Sequence, residues 1–217
     1  MKKIARTKFA VLIVLVQVIA GSEIAAYSAP QKSAAQALEV LLVKGRAPKT
    51  GYERSAFSDG WGEIGDCTVR NFILKRDLKE VTYRGACVVD TGKLLDPYTG
   101  KLLAFKYGVG TSSKVQIDHV VALSDAWQKG AQLLSAKQRK SFYNDPLNLL
   151  AVDGPTNASK GDADAATWLP PNKAYRCAYV ARQIAVKGKY KLWVVPAEKT
   201  AMKRILAACP KQLLPAG

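Results

Sequence analysis

The chain of 217 residues contains one histidine, His119, within QIDHVVALSDAW. An imidazole titrates near neutrality and can take a proton from water at physiological pH, and Asp118 sets a carboxylate beside it. Asn148 in NDPLNLLAV and Asn157 in DGPTNASKG follow in order. A phosphodiester hydrolase needs such a base, together with a divalent cation to neutralise charge building on the phosphate and the leaving oxygen. Asp118 and Asn157 would be hard oxygen ligands, suited to magnesium, manganese or calcium rather than zinc, and the Asn148 amide could hold the loop that carries His119. A lone histidine at the end of an apolar strand is, in general, more often structural than catalytic. The company of Asp118, Asn148 and Asn157 is what points to catalysis.

These side chains need elements to aim them. KVQIDHVVALS has the β-branched content of a buried strand, and on a strand adjacent side chains point to opposite faces. Asp118 and His119 can therefore share one site only if the strand bends or bulges there. SDAWQKGA reads as a short helix opened by Ser124 as N-cap, and Ser135 with Gln138 forms a capping-box start to a second helix over SAKQRKSFY. Asn144-Asp145-Pro146 is a turn. LNLLAV is a short apolar run with turn signals on both sides, hence a strand, and Asp153-Gly154-Pro155 caps a helix over Thr156 to Lys160. Asp162 is expected to cap a further helix over DADAATW.

Upstream, residues 29 to 37 read as a leader and LEVLLVKG as a helix beginning near Leu38 and stopped by Gly45. TVRNFILKRDLKEVTYR predicts a short helix followed by a strand, and GKLLDPYTGKLLAF a hairpin around Asp-Pro-Tyr-Thr-Gly. Downstream, YRCAYVARQIAVKGKYKLW and TAMKRILAAC are helical in spacing, with Tyr175, Tyr179, Trp193 and Ile205 facing the core.

The charge is lopsided: 33 Lys and Arg against 17 Asp and Glu give +16. Lys2, Lys3, Arg6 and Lys8 precede an apolar stretch, Phe9 to Ala20, that is shorter than the ~20 residues of a membrane helix, and Ala26-Tyr27-Ser28 offers a cleavage signal. Export with removal of residues 1–28 takes away four cations and one anion and leaves +13, so the mature chain would carry the basic character without a stable membrane span. Such charge draws polyanions, among them nucleic acid (DNA or RNA), anionic cell-wall polymers and acidic membrane surfaces. Four cysteines, Cys67, Cys87, Cys177 and Cys209, lack the spacing of a zinc cluster and in an exported chain favour two disulfides. Three connectivities are open; locality favours Cys67 with Cys87 and Cys177 with Cys209. No G-x-S-x-G elbow marks a serine hydrolase, and GVGTSS lacks the lysine of a P-loop, so no nucleotide cofactor is expected.

DHVVALS followed by NDPLNLLAVDGPTNASKGD resembles the HNH, or ββα-metal, nuclease motif. With DPYTGK before it and WLPPNKAYRCAYVARQIAVK after it, the chain is similar to the exported HNH endonucleases related to the C-terminal domain of GmrSD restriction enzymes. The resemblance implies an α+β fold with a ββα-metal core at 115–162, preceded by a β-hairpin region and followed by C-terminal helices. It covers roughly residues 50 to 210 and, with the readings above, divides the chain into a signal segment (1–28), a leader with a short helix (29–49) and one nuclease domain (50–217). It further implies a secreted endonuclease that cleaves DNA with little sequence preference, using one Mg²⁺ or Mn²⁺ ion. His119 would be the general base, Asp118 and Asn157 metal ligands, and Asn148 the residue orienting the histidine. Lys160 and Arg70 are candidates for contact with substrate phosphate, and Arg70 with Asn71 matches a family pair of open role. The alternative is a basic nucleic-acid or polyanion-binding protein of the cell envelope without catalysis.

Overall fold

The computed structural model describes residues 32–215, so the expected signal segment lies outside the described residues. Its first helix, α1 (Ala34–Glu39), starts before Leu38 because Ser33 and Gln36 form a capping box: each side chain accepts the other's backbone N–H, at 3.2 and 3.0 Å. Ala34, Ala37 and Leu38 are buried, so residues read as leader belong to the core, and the helix ends before most of LEVLLVKG.

A 3-10 turn (Arg54–Ala56) and two short strands, β1 (Glu63–Ile64) and β2 (Cys67–Thr68), lead into α2 (Val69–Asp77). Then β3 (Lys79–Arg84), β4 (Val88–Leu95) and β5 (Leu102–Lys106) form an antiparallel sheet in that order. The expected β4–β5 turn is held by Asp96, whose Oδ2 accepts from the Thr99 N–H at 2.8 Å, and Gly100 takes the left-handed φ of +74° that closes it.

The next segment contains β6 (Val115–His119), α3 (Leu123–Gln128), α4 (Ala136–Tyr143), β7 (Leu149–Asp153) and α5 (Gly154–Lys160); α6 (Arg176–Lys189) and α7 (Pro196–Ala207) complete the described chain. β6 and β7 pair antiparallel in unbroken register, from Val115 opposite Asp153 to His119 opposite Leu149. One face of β7 buries Leu149 and Ala151 with α2, β4 and β5. Its other face buries Leu150 and Val152 with Tyr179, Val180 and Ile184 of α6. Burial on both sides is why LLAV reads as a continuous apolar run. Each of the leucines and the valine is worth roughly 1.5–3 kcal/mol, so a slip of one residue, which would also turn His119 to the other face, is strongly disfavoured. Asp153 caps α5 through the Thr156 N–H at 2.9 Å, and residue 154 must be glycine because a Cβ there would overlap the Ser113 carbonyl oxygen.

Two further local expectations fail. Ala122, not Ser124, occupies the N-cap of α3; the Ser124 hydroxyl instead donates to Asp162 at 2.9 Å. Asp162 is therefore committed elsewhere, and DADAATW forms turns rather than a helix, with Asp164 Oδ1 accepting the Ala166 N–H at 2.9 Å.

Disulfides join Cys67 to Cys87 and Cys177 to Cys209, as locality favours. Beneath α3, α6 and α7 lies an ionic cluster. Lys129 Nζ contacts Asp125, Asp164 and Glu198 at 2.6, 2.7 and 2.7 Å. Lys187 reaches Glu198 and Asp125 at 3.0 and 3.3 Å, while Arg46 reaches Asp125 and Asp164 at 3.0 and 2.7 Å. Three cations thus balance three carboxylates, and the turn after α5 is anchored to three helices. Among the described residues, no helix is long and apolar enough to cross a membrane.

Candidate active site around His119

The strand β6, the start of α3 and the helix α5 with the turn after it wall a cavity of about 380 Å³ lined by Gln116, Asp118, His119, Asn157 and Asp162, with Tyr52 and Arg54 contributed by the segment before β1. Asp118 and His119 share this cavity without a bulge. His119 is the last residue of β6, and the chain bends away at Val120 and Val121.

His119 is 5% exposed, and its Nε2 lies 2.9 Å from the backbone carbonyl oxygen of Tyr143. A carbonyl only accepts, so Nε2 carries the proton and Nδ1 keeps the lone pair. Tyr143 ends α4, where carbonyls lack partners within the helix. The Trp61 indole stacks on the imidazole, with centroids 5.8 Å apart and planes 7° off parallel. Burial pulls the imidazole pKa down to about 4, against the opposing influence of the Tyr143 carbonyl and the Asp118 charge, so the ring is neutral at pH 7.

Asp118 is 5% exposed and doubly held: Lys160 Nζ donates to Oδ1 at 2.9 Å and the Tyr98 hydroxyl to Oδ2 at 2.5 Å. Burial and the Asp118 charge push the Tyr98 phenol well above its ordinary pKa, so it stays a donor. Lys160 also donates to the His119 carbonyl at 2.9 Å and is itself buried. Asn157 Nδ2 donates to Gln116 Oε1 at 2.9 Å, which leaves the Asn157 Oδ1 as an acceptor.

Asn148 does not touch the cavity. Fully buried, it accepts the Val121 N–H at 2.8 Å and donates to the Val121 carbonyl at 3.3 Å, while Gln183 Nε2 donates to the Val120 carbonyl at 3.1 Å. The two amides clip the backbone immediately after His119 from two sides. Arg70 stands apart, its guanidinium over the Phe105 ring at 5.9 Å, and Asn71 braces α2 by accepting the Val89 N–H at 3.1 Å. Sequence reasoning missed Tyr98, Trp61, Gln116, Gln183 and Arg54. Tyr98 inside DPYTGK, Gln116 inside QIDHVVALSDAW and Gln183 inside WLPPNKAYRCAYVARQIAVK stood within segments already singled out, but Trp61 and Arg54 did not.

Among the described residues no three His, Cys, Asp or Glu side chains group as a metal cage. The cavity instead offers the Asp118 carboxylate, whose oxygens each keep a second lone pair, with amide oxygen from Asn157 and Gln116. That set fits a hard cation such as Mg²⁺ or Mn²⁺, which accepts one or two protein oxygens and retains water, and it does not fit zinc.

Residues 68–205 match the family described as GmrSD restriction endonucleases, C-terminal domain. An "Uncharacterized secreted protein" of Arthroderma benhamiae is 38% identical over 183 residues, covering 83% of this chain and 87% of that protein. No solved structure matches.

Proposed function

The chain belongs to the family of GmrSD restriction endonuclease C-terminal domains, and from that premise we propose that it is a secreted, metal-dependent HNH endonuclease that hydrolyses DNA with little sequence preference. The observation that carries the reading is the neutral His119, with Nδ1 as its basic nitrogen, in one cavity with Asp118 and Asn157 on a strand–strand–helix unit. In this reading β6, β7 and α5 are the ββα-metal core. Export accords with the two disulfides and with the secreted relative.

In the reaction, water attacks phosphorus as its proton passes to His119 Nδ1, and the bond from phosphorus to the 3′ oxygen breaks. The products are a 5′-phosphate and, after protonation by solvent, a 3′-hydroxyl. A bound Mg²⁺ or Mn²⁺, held by Asp118 and Asn157, would neutralise charge on the phosphate and the leaving oxygen. Tyr98 and Lys160 fix the Asp118 carboxylate; the Tyr143 carbonyl fixes the imidazole tautomer; Asn148 holds the end of β6. Lys160 is too buried and too committed to meet substrate, so its place is in support of Asp118. Net positive charge favours contact with the DNA backbone, which makes binding salt-dependent and insensitive to sequence.

Oxidised protein stripped with EDTA and incubated with supercoiled plasmid should nick it only after Mg²⁺ or Mn²⁺ is added, and His119→Ala should bind plasmid without nicking it. Folded wild-type protein that retards plasmid and RNA but shortens neither, across metals and salt, would refute the reading in favour of a polyanion-binding protein.

A further inference from the structure

We infer that Arg54 is the residue that grips the scissile phosphate, an assignment that rests on the nuclease reading above. Among the described residues walling the cavity, Arg54 is the one Lys or Arg. The carboxylates there are already balanced: Asp118 by Lys160 at 2.9 Å and Asp162 by Lys49 at 3.3 Å. Arg54 takes part in no ion pair among the described residues, so it is the uncompensated charge of the cavity, and it is exposed. The cavity therefore has a place for one anion.

The guanidinium is also poised. It lies over the Tyr143 ring, 5.4 Å from the centroid, with Nη2 3.4 Å from the Tyr143 hydroxyl. That same tyrosine gives its carbonyl to His119 Nε2, and its ring centroid is 4.7 Å from that of the imidazole. One residue thus sets both the base and the cation, and a phosphate held by Arg54 is presented to water activated at Nδ1. A neutral hydroxyl at 3.4 Å engages the guanidinium weakly, which leaves its planar fork of donors for two phosphate oxygens. Arg54 precedes the segment matched to the family, residues 68–205. The anion grip is thus supplied from the segment before β1, while the base and the metal ligands sit on the hairpin and α5.

The test is single-turnover and steady-state cleavage of plasmid by wild-type protein, Arg54→Ala, Arg54→Gln and Arg54→Lys, with thermal unfolding of each as the fold check. Because Arg54 is exposed, the variants should unfold at the wild-type temperature. Loss of a donor to developing charge should lower kcat of Arg54→Ala and Arg54→Gln by about 10²–10³. Added guanidinium at low millimolar concentration should restore part of the Arg54→Ala rate, and Arg54→Lys, which cannot present a fork, should recover only part of it. Variants that keep wild-type kcat and change only KM would overturn the inference while leaving the nuclease reading intact. Wild-type protein that is folded and cleaves nothing would overturn both.

Discussion

Replacing Lys129 by Met tests whether the ionic cluster under the site is a structural necessity. The ammonium is fully buried and touches three carboxylates within 2.7 Å. In Lys129→Met an apolar chain of similar length fills the space, and Asp125, Asp164 and Glu198 face only Lys187 and Arg46, the latter with 37% of its side chain exposed. The excess negative charge has two fates. If it stays ionised, breaking the buried network costs about 3–5 kcal/mol. If one carboxyl takes a proton, the cost relative to an unfolded chain whose carboxylates titrate at about 4 is about 1.4 kcal/mol per pH unit, hence about 4 kcal/mol at pH 7 and about 1.4 kcal/mol at pH 5. The smaller of the two governs, so the variant should lose about 3–4 kcal/mol at pH 7 and about 1–2 kcal/mol at pH 5. A domain stable by about 5–15 kcal/mol survives the first loss well enough to be measured. Urea unfolding of oxidised wild-type and variant protein, followed by circular dichroism at both pH values, reads the difference. A loss under about 1 kcal/mol at pH 7, or an equal loss at the two pH values, would refute the argument that the cluster is held by mutual neutralisation.

Asn148→Ala should lose about 2–3 kcal/mol in the same assay, since it leaves the buried Val121 N–H and carbonyl without partners, and its cleavage rate should fall as the end of β6 loosens; unchanged stability would remove Asn148 from its bracing role. The folded pKa of His119, about 4, lies below the unfolded value of 6.5. Stability should therefore be whole above pH 6.5 and decline as pH falls toward 4, by about 3 kcal/mol, because only the unfolded chain binds the proton. His119→Gln should flatten that stretch of the profile, and a profile unaltered by the substitution would contradict a buried neutral imidazole. Asp125 acts in a more acidic window: burial pushes its carboxyl up, but Lys187 and Lys129 outweigh this and hold it below the usual range. Its contribution is present above the unfolded value and disappears only as pH falls through the lower folded one.

Where signals are local, reading the chain succeeded. Pro97 and Gly100 announced the β4–β5 turn, Ser135 and Gln138 the start of α4, and Asp153 and Pro155 the start of α5, while among three open connectivities the local pairing of the cysteines is the one found. The same capping-box chemistry at Ser33 and Gln36 was present and overlooked, because the surrounding Ala, Ser and Gln read as leader. Ser124 and Asp162 each carried a convincing cap signal, yet they bond to one another across the fold, a tertiary contact overriding two local preferences. The supports of the candidate site were illegible for a related reason. Tyr98 meets Asp118 from the tip of another hairpin, Lys160 meets it from a different element, and Trp61 covers His119 from a segment with no motif of its own. Lysines and carboxylates scattered among 33 cations and 17 anions likewise gave no hint that some of them meet in the interior. Composition counts charges; it does not pair them.

The acceptor that selects the protonated nitrogen of His119 belongs to the main chain. Substitution at position 143 can remove a ring, a hydroxyl or a packing surface, but every amino acid brings the same carbonyl. The tautomer is therefore hidden from point mutation at the residue that dictates it. It is open instead to insertions and deletions between β6 and β7, which would shift where α4 ends. A randomised library at residue 143 should consequently yield graded activity, whereas a one-residue change of length in the 129–135 connection should abolish it. Drift in related chains would face the same asymmetry: a new side chain at this position costs packing and the seat of Arg54 but keeps the acceptor, whereas a new loop length moves the acceptor itself.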